Sequence, residues 1–303
     1  MDRLVIIGNG FDRAHNLPTS YYDFKEYLRI YAREFYEAIC KYIPEEELWF
    51  QFEMALGELD KYQVQEENAS YYLDYGDENW KDSANHDFQF MIEQDLAFAS
   101  YIPYYFKKWI EQIDTNVLPL VSKRIINNTC KILNFNYTDT LERAYKVPAE
   151  NILYIHGKAL SSKKLVVGHH DISISTFQYG AVSPFNAAEE HGIYIQDDDE
   201  DFRITETKEI IKAYFQKTYK DTFGIIQMNQ NFFDSLIKIN EIFILGHSLS
   251  SVDMDYFVEI RKRVLHSCKW YISYFSESDL DNMEYFAKRL DIKNFQPVML
   301  SNL

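Results

Sequence analysis

Short apolar runs alternate with amphipathic stretches along this chain. The runs are rich in β-branched residues and lack strict apolar–polar alternation, which is typical of strands that are covered on both faces. They predict strands at Leu4–Ile7, Lys131–Phe135, Ile152–Ile155, Leu165–Val167, Ile242–Leu245 and Trp270–Tyr274, with a last candidate at Pro297–Leu300.

The amphipathic stretches fill the gaps between these strands. One of them has apolar residues at every third or fourth position, at Phe24, Leu28, Tyr31, Phe35 and Ile39. This spacing predicts a helix that ends near Pro44, and Phe257, Ile260 and Val264 predict another helix later in the chain. Strands separated by helices favour an α/β fold, in which a parallel sheet has right-handed crossovers and helices on both faces.

Two stretches interrupt the alternation of strands and helices. Residues 45–128 contain many aromatic residues and little that resembles a strand, which predicts a helical insertion. The α/β core then comprises residues 1–44 and 129–303. Within the core, residues 171–205 are predicted to be an irregular loop region, and the acidic run at 197–201 is typical of a solvated loop.

Composition and charge exclude several classes of protein. The 303 residues are 47% hydrophobic and 17% aromatic, which argues against a disordered chain. The formal net charge of −16 would repel a long nucleic acid, but it leaves room for a small anionic nucleotide. The chain has no apolar run long enough to span a membrane, and its three cysteines lie far apart. Its first residues lead directly into a predicted strand, so we expect no signal peptide. We therefore expect a cytoplasmic protein without disulfide bonds or membrane association.

Half of the ten glycines follow predicted strands directly, at Gly8, Gly10, Gly157, Gly168 and Gly246. A lone glycine in such a place is usually a tight turn. Several strand ends with glycine and polar residues indicate a ligand site, because the carboxyl edge of a parallel sheet is where α/β proteins bind ligands.

The polar residues at these strand ends are candidates for chemistry. Asn136 and Thr138 offer neutral hydrogen bonds, and His156 is a candidate general base because the pKa of histidine lies near neutral pH. Simpler alternatives are that Asn136 and Asp139 cap a helix, that His156 is a core residue, and that Ser250 or Ser251 caps the helix containing Phe257.

Four segments at these strand ends resemble known families. They are IIGNGFDRAHNLPTSYYDF from Ile6, NFNYTDTLE from Asn134, IHGK from Ile155 and LGHSLSSVDMDYF from Leu245. The segments are similar to the motifs of the sirtuin-like NAD-binding fold, in which Asn16 would stand in place of a glycine. As a set, from about residue 4 through residue 257, they more closely resemble the bacterial phage abortive-infection AbiH family.

The resemblance implies a sirtuin-like Rossmann-type sheet that takes NAD as its substrate, without a metal. Asn136 would orient the ribose or the attacking water, and neutral His156 would accept a proton as nicotinamide leaves. The implied NAD-binding residues are Gly8, Asn9, Gly10, Phe11, Asp12, Pro18, Thr138, Asp139, Gly157, Gly246, His247, Ser248 and Asp253. The Gly8–Asn9–Gly10 loop would hold the pyrophosphate.

The chain departs from the sirtuin pattern at several positions. Thr138 replaces an aspartate that contacts the nicotinamide amide, Asn134 replaces a threonine, and Asp12 replaces a serine. The chain also lacks the paired CxxC motifs of the sirtuin zinc module, which argues against protein deacylation. The resemblance then favours hydrolysis of NAD in phage defence, with a phage or host protein as trigger and a homo-oligomer as one form of assembly.

Three alternatives remain open from the sequence. The first is a module that binds NAD or ADP-ribose without chemistry, which Thr138 favours. The second is a protein-interaction module that uses aromatic residues of 45–128. The third is a metal-dependent hydrolase that uses His169, His170 and Asp171, although adjacent side chains in an extended segment point apart.

Overall fold

A six-stranded parallel sheet forms the framework of the protein, and the computed structural model describes residues 2–170 and 201–303. The strands are β1 (Arg3–Ile7), β2 (Lys131–Asn134), β3 (Ile152–Tyr154), β4 (Glu241–Leu245), β5 (Lys269–Tyr274) and β6 (Phe295–Met299). Their order is β3-β2-β1-β4-β5-β6, and each neighbouring pair is parallel. The predicted α/β fold with a parallel sheet is therefore confirmed.

Both faces of the sheet are covered by apolar side chains. Leu4 and Ile6 of β1 pack into one hydrophobic cluster, whereas Val5 and Ile7 pack into the cluster on the other face. Successive side chains of a strand point to opposite faces. A strand that is buried on both faces must therefore be apolar at every position, which explains why the runs in the sequence lack alternation.

At least one helix lies between each strand and the next along the chain. The helices are α1 (Asn9–Ala14), α2 (Tyr21–Tyr31), α3 (Arg33–Cys40), α4 (Glu45–Phe50), α5 (Phe52–Ala55), α6 (Lys61–Glu67), α7 (Asp87–Leu96), α8 (Ile102–Ile110), α9 (Thr140–Arg143), α10 (Phe202–Thr218), α11 (Thr222–Met228), α12 (Gln230–Asp234), α13 (Met254–Arg263) and α14 (Glu277–Arg289). None of the helices within residues 2–170 and 201–303 combines the length and the apolar character needed to cross a bilayer.

The chain divides into two compact units. The first comprises Met1–Phe24, Pro103–Val166 and Asp221–Leu303 and contains the whole sheet. The second comprises Lys25–Ile102 and Val167–Lys220, and its described elements are helical. These units are defined by spatial contacts, whereas the insertion at 45–128 is inferred from residue types along the chain, so that insertion stays a prediction.

Two predicted elements differ from the structure. Leu165–Val167 is not a strand, although the N–H of Val166 donates to the carbonyl of His156 at 2.9 Å. The predicted single helix before Pro44 is two helices, with Ala32 between α2 and α3. Apolar periodicity continues across the break at Ala32, so the periodicity alone could not reveal the break.

The predicted irregular region at 171–205 is helical at its end. Asp201 caps α10 by accepting a hydrogen bond from the backbone N–H of Arg203 at 2.9 Å. The acidic run that suggested a loop therefore ends in an ordinary helix cap. The rest of the predicted loop region, 171–200, lies outside the described residues.

A network of hydrogen bonds joins His15, at the end of α1, to Tyr145 just beyond α9 and to residues 120–121 before β2. Nδ1 of His15 lies 2.7 Å from the carbonyl of Phe11, and its Nε2 lies 2.8 Å from the hydroxyl of Tyr145. The same hydroxyl accepts from the N–H groups of Leu120 at 3.0 Å and Val121 at 3.1 Å. Burial lowers the pKa of His15, which favours a neutral ring with its proton on Nδ1.

Tyr145→Phe should lower the free energy of unfolding by about 1–3 kcal/mol, because it leaves buried donors and an acceptor unsatisfied. Urea denaturation of the full chain measures this change. Tyr285→Phe is the matched control, since Tyr285 is 65% exposed. Equal midpoints for the two variants would contradict the structural role of the Tyr145 hydroxyl.

Candidate functional site

The candidate site lies at the carboxyl edge of the sheet, where β1 and β4 are neighbours. From β1 the chain proceeds through β2 to β3 on one side, and from β4 it proceeds through β5 to β6 on the other. The strand order therefore reverses between β1 and β4, and in open α/β sheets the crevice outside such a point is the usual place for a ligand. The predicted residues after β1, β2, β3 and β4 all belong to the first compact unit.

The glycines after β1 and β4 bring two segments of backbone into direct contact. The N–H of Gly8 donates to the carbonyl of Leu245 at 3.0 Å, and the N–H of Gly10 donates to the carbonyl of Gly246 at 2.7 Å. A Cβ added to Gly8 would lie 2.5 Å from Cα of His247. These glycines therefore permit close packing between two strand ends, and the amides of Gly8 and Gly10 are already bonded to protein carbonyls.

Other residues of the segment that follows β1 differ in their exposure to solvent. Phe11 is buried and its ring lies 4.6 Å from the ring of His15, so its side chain belongs to the core. Asn9 and Pro18 are exposed, and Nδ2 of Asn9 donates to the carbonyl of Thr19 at 2.7 Å. Asn16 has a φ of 60°, which is the left-handed conformation that asparagine tolerates in place of glycine.

Asn136, the predicted catalytic amide, is buried just beyond β2. Its backbone N–H donates to Oδ1 of Asn134 at 3.0 Å, which fixes the direction of the turn. Within the described residues, neither Nδ2 nor Oδ1 of Asn136 has a hydrogen-bond partner. A buried amide with both ends unsatisfied is costly, so this side chain is a strong candidate for ligand contact.

Asp12 lies beside this amide and is nearly inaccessible to solvent. Its Oδ2 accepts a hydrogen bond from the hydroxyl of Thr138 at 2.5 Å, whereas Oδ1 has no partner within the described residues. Burial raises the pKa of Asp12 to about 6, and the hydrogen bond from Thr138 is the largest effect that opposes the increase. A carboxyl group with a pKa near the working pH can donate or accept a proton. The sequence placed Asp12 among the binding residues but did not show that its carboxylate meets Thr138.

Asp139 is held by other partners. Oδ1 accepts a hydrogen bond from the hydroxyl of Thr115, and Oδ2 accepts one from Nε of Arg143 at 2.8 Å. The side chain does not cap α9, which was the simpler alternative from the sequence. Asp139 nevertheless helps to raise the pKa of Asp12, because the two carboxylates repel each other.

A second group of site residues combines the ends of β3 and β4. Nε2 of His156 lies 3.5 Å from Oδ1 of Asp253, and Nε2 of His247 lies 3.5 Å from Oδ2 of the same carboxylate. The ring of Phe135 packs edge-on against both imidazoles, at centroid distances of 5.3 Å and 4.5 Å. Residues after three different strands therefore meet around one carboxylate.

The remaining predicted residues shape the loops. Gly157 has a φ of 89° and Gly246 a φ of 65°, both in the left-handed region that favours glycine. Ser248 is exposed, and Ser250 caps the short 3₁₀ turn Ser251–Asp253 through the N–H of Val252. That cap precedes α13 and matches the simpler alternative for Ser250 in part.

The segment after β2 connects the group around Asn136 to the group around Asp253. Asn136 is flanked by Phe135 and Tyr137, and the rings of both neighbours lie against His156, at 5.3 Å and 6.2 Å. The backbone of Asn136 therefore lies between two residues whose rings contact His156. Asp12 and Thr138 belong to the same cluster as Asn136.

The alternative metal ligands belong to the second compact unit. His169 is buried against Gly57, where a Cβ on the glycine would lie 3.2 Å from the imidazole. Nδ1 of His170 lies 3.1 Å from the carbonyl of Lys220. Asp171, the third residue of this alternative, lies outside the described residues. Neither histidine is among the residues at the strand ends.

Comparisons with known proteins give one match. Neither the curated proteins nor the solved structures contain a match to this chain. The family model for bacteriophage abortive infection AbiH matches residues 4–274, which include all four strand ends of the candidate site. Because this match covers most of the 303 residues, the chain belongs to the bacteriophage abortive infection family AbiH.

Proposed function

We propose that this protein acts in phage abortive infection by hydrolysing NAD to nicotinamide and ADP-ribose. Membership of the AbiH family supports the role in abortive infection. The observation that carries the chemistry is the buried Asn136 amide, whose two polar atoms lack partners within the described residues and whose neighbours Phe135 and Tyr137 contact His156. An amide and an imidazole at the reversal point of a parallel sheet suit a nucleotide with a ribose.

In the proposed reaction, the bond between C1′ of the ribose and the nicotinamide nitrogen breaks. Nicotinamide leaves with the electron pair, and a water oxygen bonds to C1′ as its proton passes to His156. Asn136 orients the ribose hydroxyl or the water through its amide. General-base action of this kind is typically worth about 10² to 10⁴ in rate.

Asp12 supplies a carboxylate close to the position where the sirtuin pattern has one. Thr138 occupies the aspartate position of that pattern, and its hydroxyl donates to Asp12. The free oxygen, Oδ1, is suited to accept a hydrogen bond from the carboxamide N–H of nicotinamide. Asp12 thereby supplies a negatively charged hydrogen-bond acceptor, whereas Thr138 has only a neutral hydroxyl.

A second candidate function is binding of NAD or ADP-ribose without turnover. The hydrogen bonds of the Gly8 and Gly10 amides favour it, because these amides are engaged with the end of β4. A pyrophosphate would then need other donors at this edge of the sheet. This alternative predicts saturable binding and no release of nicotinamide.

The direct test is to incubate the purified full chain with NAD and to separate nicotinamide and ADP-ribose by chromatography. The wild type should release both products in equal amounts, and Asn136→Ala and His156→Ala should each lose most of the release. Asn128→Ala is a control for Asn136→Ala, since Asn128 is exposed and lies before β2. Stabilisation by NAD without product favours the binding module. Absence of both product and stabilisation overturns the NAD assignment.

A further inference from the structure

The carboxylate of Asp253 lies between two imidazoles that come from different strand ends. Its Oδ1 is 3.5 Å from Nε2 of His156, and its Oδ2 is 3.5 Å from Nε2 of His247. All three side chains are largely buried, with exposed side-chain fractions of 3% for each histidine and 11% for the aspartate. Charges in such surroundings interact more strongly than charges in water.

The tautomer of His247 follows from its other nitrogen. The backbone N–H of Leu249 donates to Nδ1 of His247 at 2.9 Å, so Nδ1 carries the lone pair in the neutral ring. The proton of neutral His247 is therefore on Nε2, which faces Asp253. Leu249 has a φ of 57°, a conformation that a leucine rarely adopts, so the turn that presents this N–H is locally strained.

We propose that Asp253 and His247 are positioning residues that hold His156 as the base, with one carboxylate shared by the two imidazoles. Nε2 of His156 lies 3.5 Å from Oδ1 of Asp253, close enough for the carboxylate to stabilise a positive charge on the imidazole. In the proposed hydrolysis, which this inference deepens, the water proton moves to the imidazole of His156 and its electron pair stays on oxygen. The imidazolium that forms is then paired with Asp253.

His247 would determine how strongly the Asp253 carboxylate raises the proton affinity of His156. Two imidazoles that share one carboxylate compete for it, because protonation of one places a positive charge near the other. Among the described residues, the titratable side chains of Tyr137 and Tyr256 also pack against His156, with ring centroids at 6.2 Å and 5.6 Å. Asp253 places a carboxylate oxygen 3.5 Å from Nε2 of His156.

The test is an NMR titration of the histidine rings in the full chain without any nucleotide. The signal of His156 is assigned by its loss in His156→Gln. Asp253→Asn keeps the shape of the side chain and should lower the proton affinity of His156 by about 10- to 100-fold. His247→Gln should instead raise it, because a competitor for the carboxylate is removed.

Asp255→Asn is the matched control, since Asp255 belongs to α13 and accepts a hydrogen bond from Thr222. It should leave the titration of His156 unchanged. A His156 titration that is the same in wild type and Asp253→Asn overturns the proposal. If Asp253→Asn does not fold, His247→Gln decides the matter, and an unchanged His156 titration in that variant overturns it.

The pH dependence of nicotinamide release adds a readout that a purely structural role would not move. The rise of kcat/KM with pH should shift to lower pH in Asp253→Asn, with a lower plateau. Because the titration needs no NAD, it separates this inference from the proposed function. If the His156 titration shifts in Asp253→Asn but the wild type releases no nicotinamide, the shared carboxylate is supported and NAD hydrolysis is overturned.

Discussion

Gly246→Ala is expected to lower the free energy of unfolding by about 3–5 kcal/mol, among the largest effects of a single substitution. The new Cβ would lie 2.0 Å from the backbone nitrogen of Phe11 and 2.4 Å from the carbonyl carbon of Gly10. Both are backbone atoms, so no side-chain rotation can relieve the overlap. The φ of 65° adds a further cost, because alanine disfavours the left-handed conformation.

The substitution should also break the bonds that join β1 to β4 at the site. Relief of the overlap requires the two strand ends to separate, which removes the hydrogen bond from the N–H of Gly10 to the carbonyl of Gly246. Urea denaturation followed by far-UV circular dichroism measures the loss. Gly76→Ala is the control, because a Cβ on Gly76 meets nothing within 4 Å and surface substitutions usually change stability by no more than about 0.5 kcal/mol. Equal stabilities of the two variants would contradict the backbone contact.

Asp12→Asn should make the protein more stable and at the same time less able to bind or hydrolyse NAD. The pKa of Asp12 rises from 3.8 to about 6 because the carboxyl is buried. At pH 7.5 the folded protein therefore carries an ionised carboxylate that would be better solvated in the unfolded chain. The cost of that ionisation is about 3 kcal/mol, and a neutral asparagine avoids most of it.

The stability difference should depend on pH in a defined direction. Above pH 6 the carboxylate is ionised in both states and the full cost is present. Between pH 6 and 3.8 the folded state binds more protons than the unfolded state, so the contribution of Asp12 becomes more favourable as the pH falls. We expect Asp12→Asn to be more stable by about 1–3 kcal/mol at pH 7.5, allowing for the weakened hydrogen bond from Thr138, and the gain to disappear near pH 4.

Asp12→Asn should also lower kcat/KM for nicotinamide release by at least about 10²-fold, which is the lower range for a group that acts as an acid or base at a reacting site. If the protein only binds NAD, its affinity should fall instead. Asp281→Asn is the control, because Asp281 is exposed on α14 and its substitution should change neither property. A wild-type rate in Asp12→Asn would remove Asp12 from the site. A stability that does not increase at pH 7.5 would contradict the cost of the buried charge.

Much of the framework was predictable from local pattern. The bounds of five strands agree with the predicted runs within one residue at either end, because a strand covered on both faces must be apolar along its length. β6 begins two residues earlier than predicted, since Phe295 and Gln296 form no apolar run. Leu165–Val167 is apolar without being a strand, since a buried loop segment and a short buried strand have the same composition.

The candidate site was predictable only as a set of positions. Asn136 and His156 follow strands that adjoin in the sheet, and parallel strands end at one edge, so their proximity followed from the pattern. The roles of the glycines did not follow. Gly8 and Gly246 each permit a close backbone approach, as the sequence suggested, but the partner is the other strand end.

The sequence by itself determined the parallel α/β framework, the strand ends at which polar residues collect, and the family. Each of these depends on residues within one short segment or on the residue types that such segments contain. Only the tertiary structure decided that Asp12 meets Thr138, 126 positions away, and that Asp253 lies between His156 and His247. These contacts depend on strand order and on how loops cross the sheet edge. Hydrophobic periodicity carries no information about either, because it describes one element at a time.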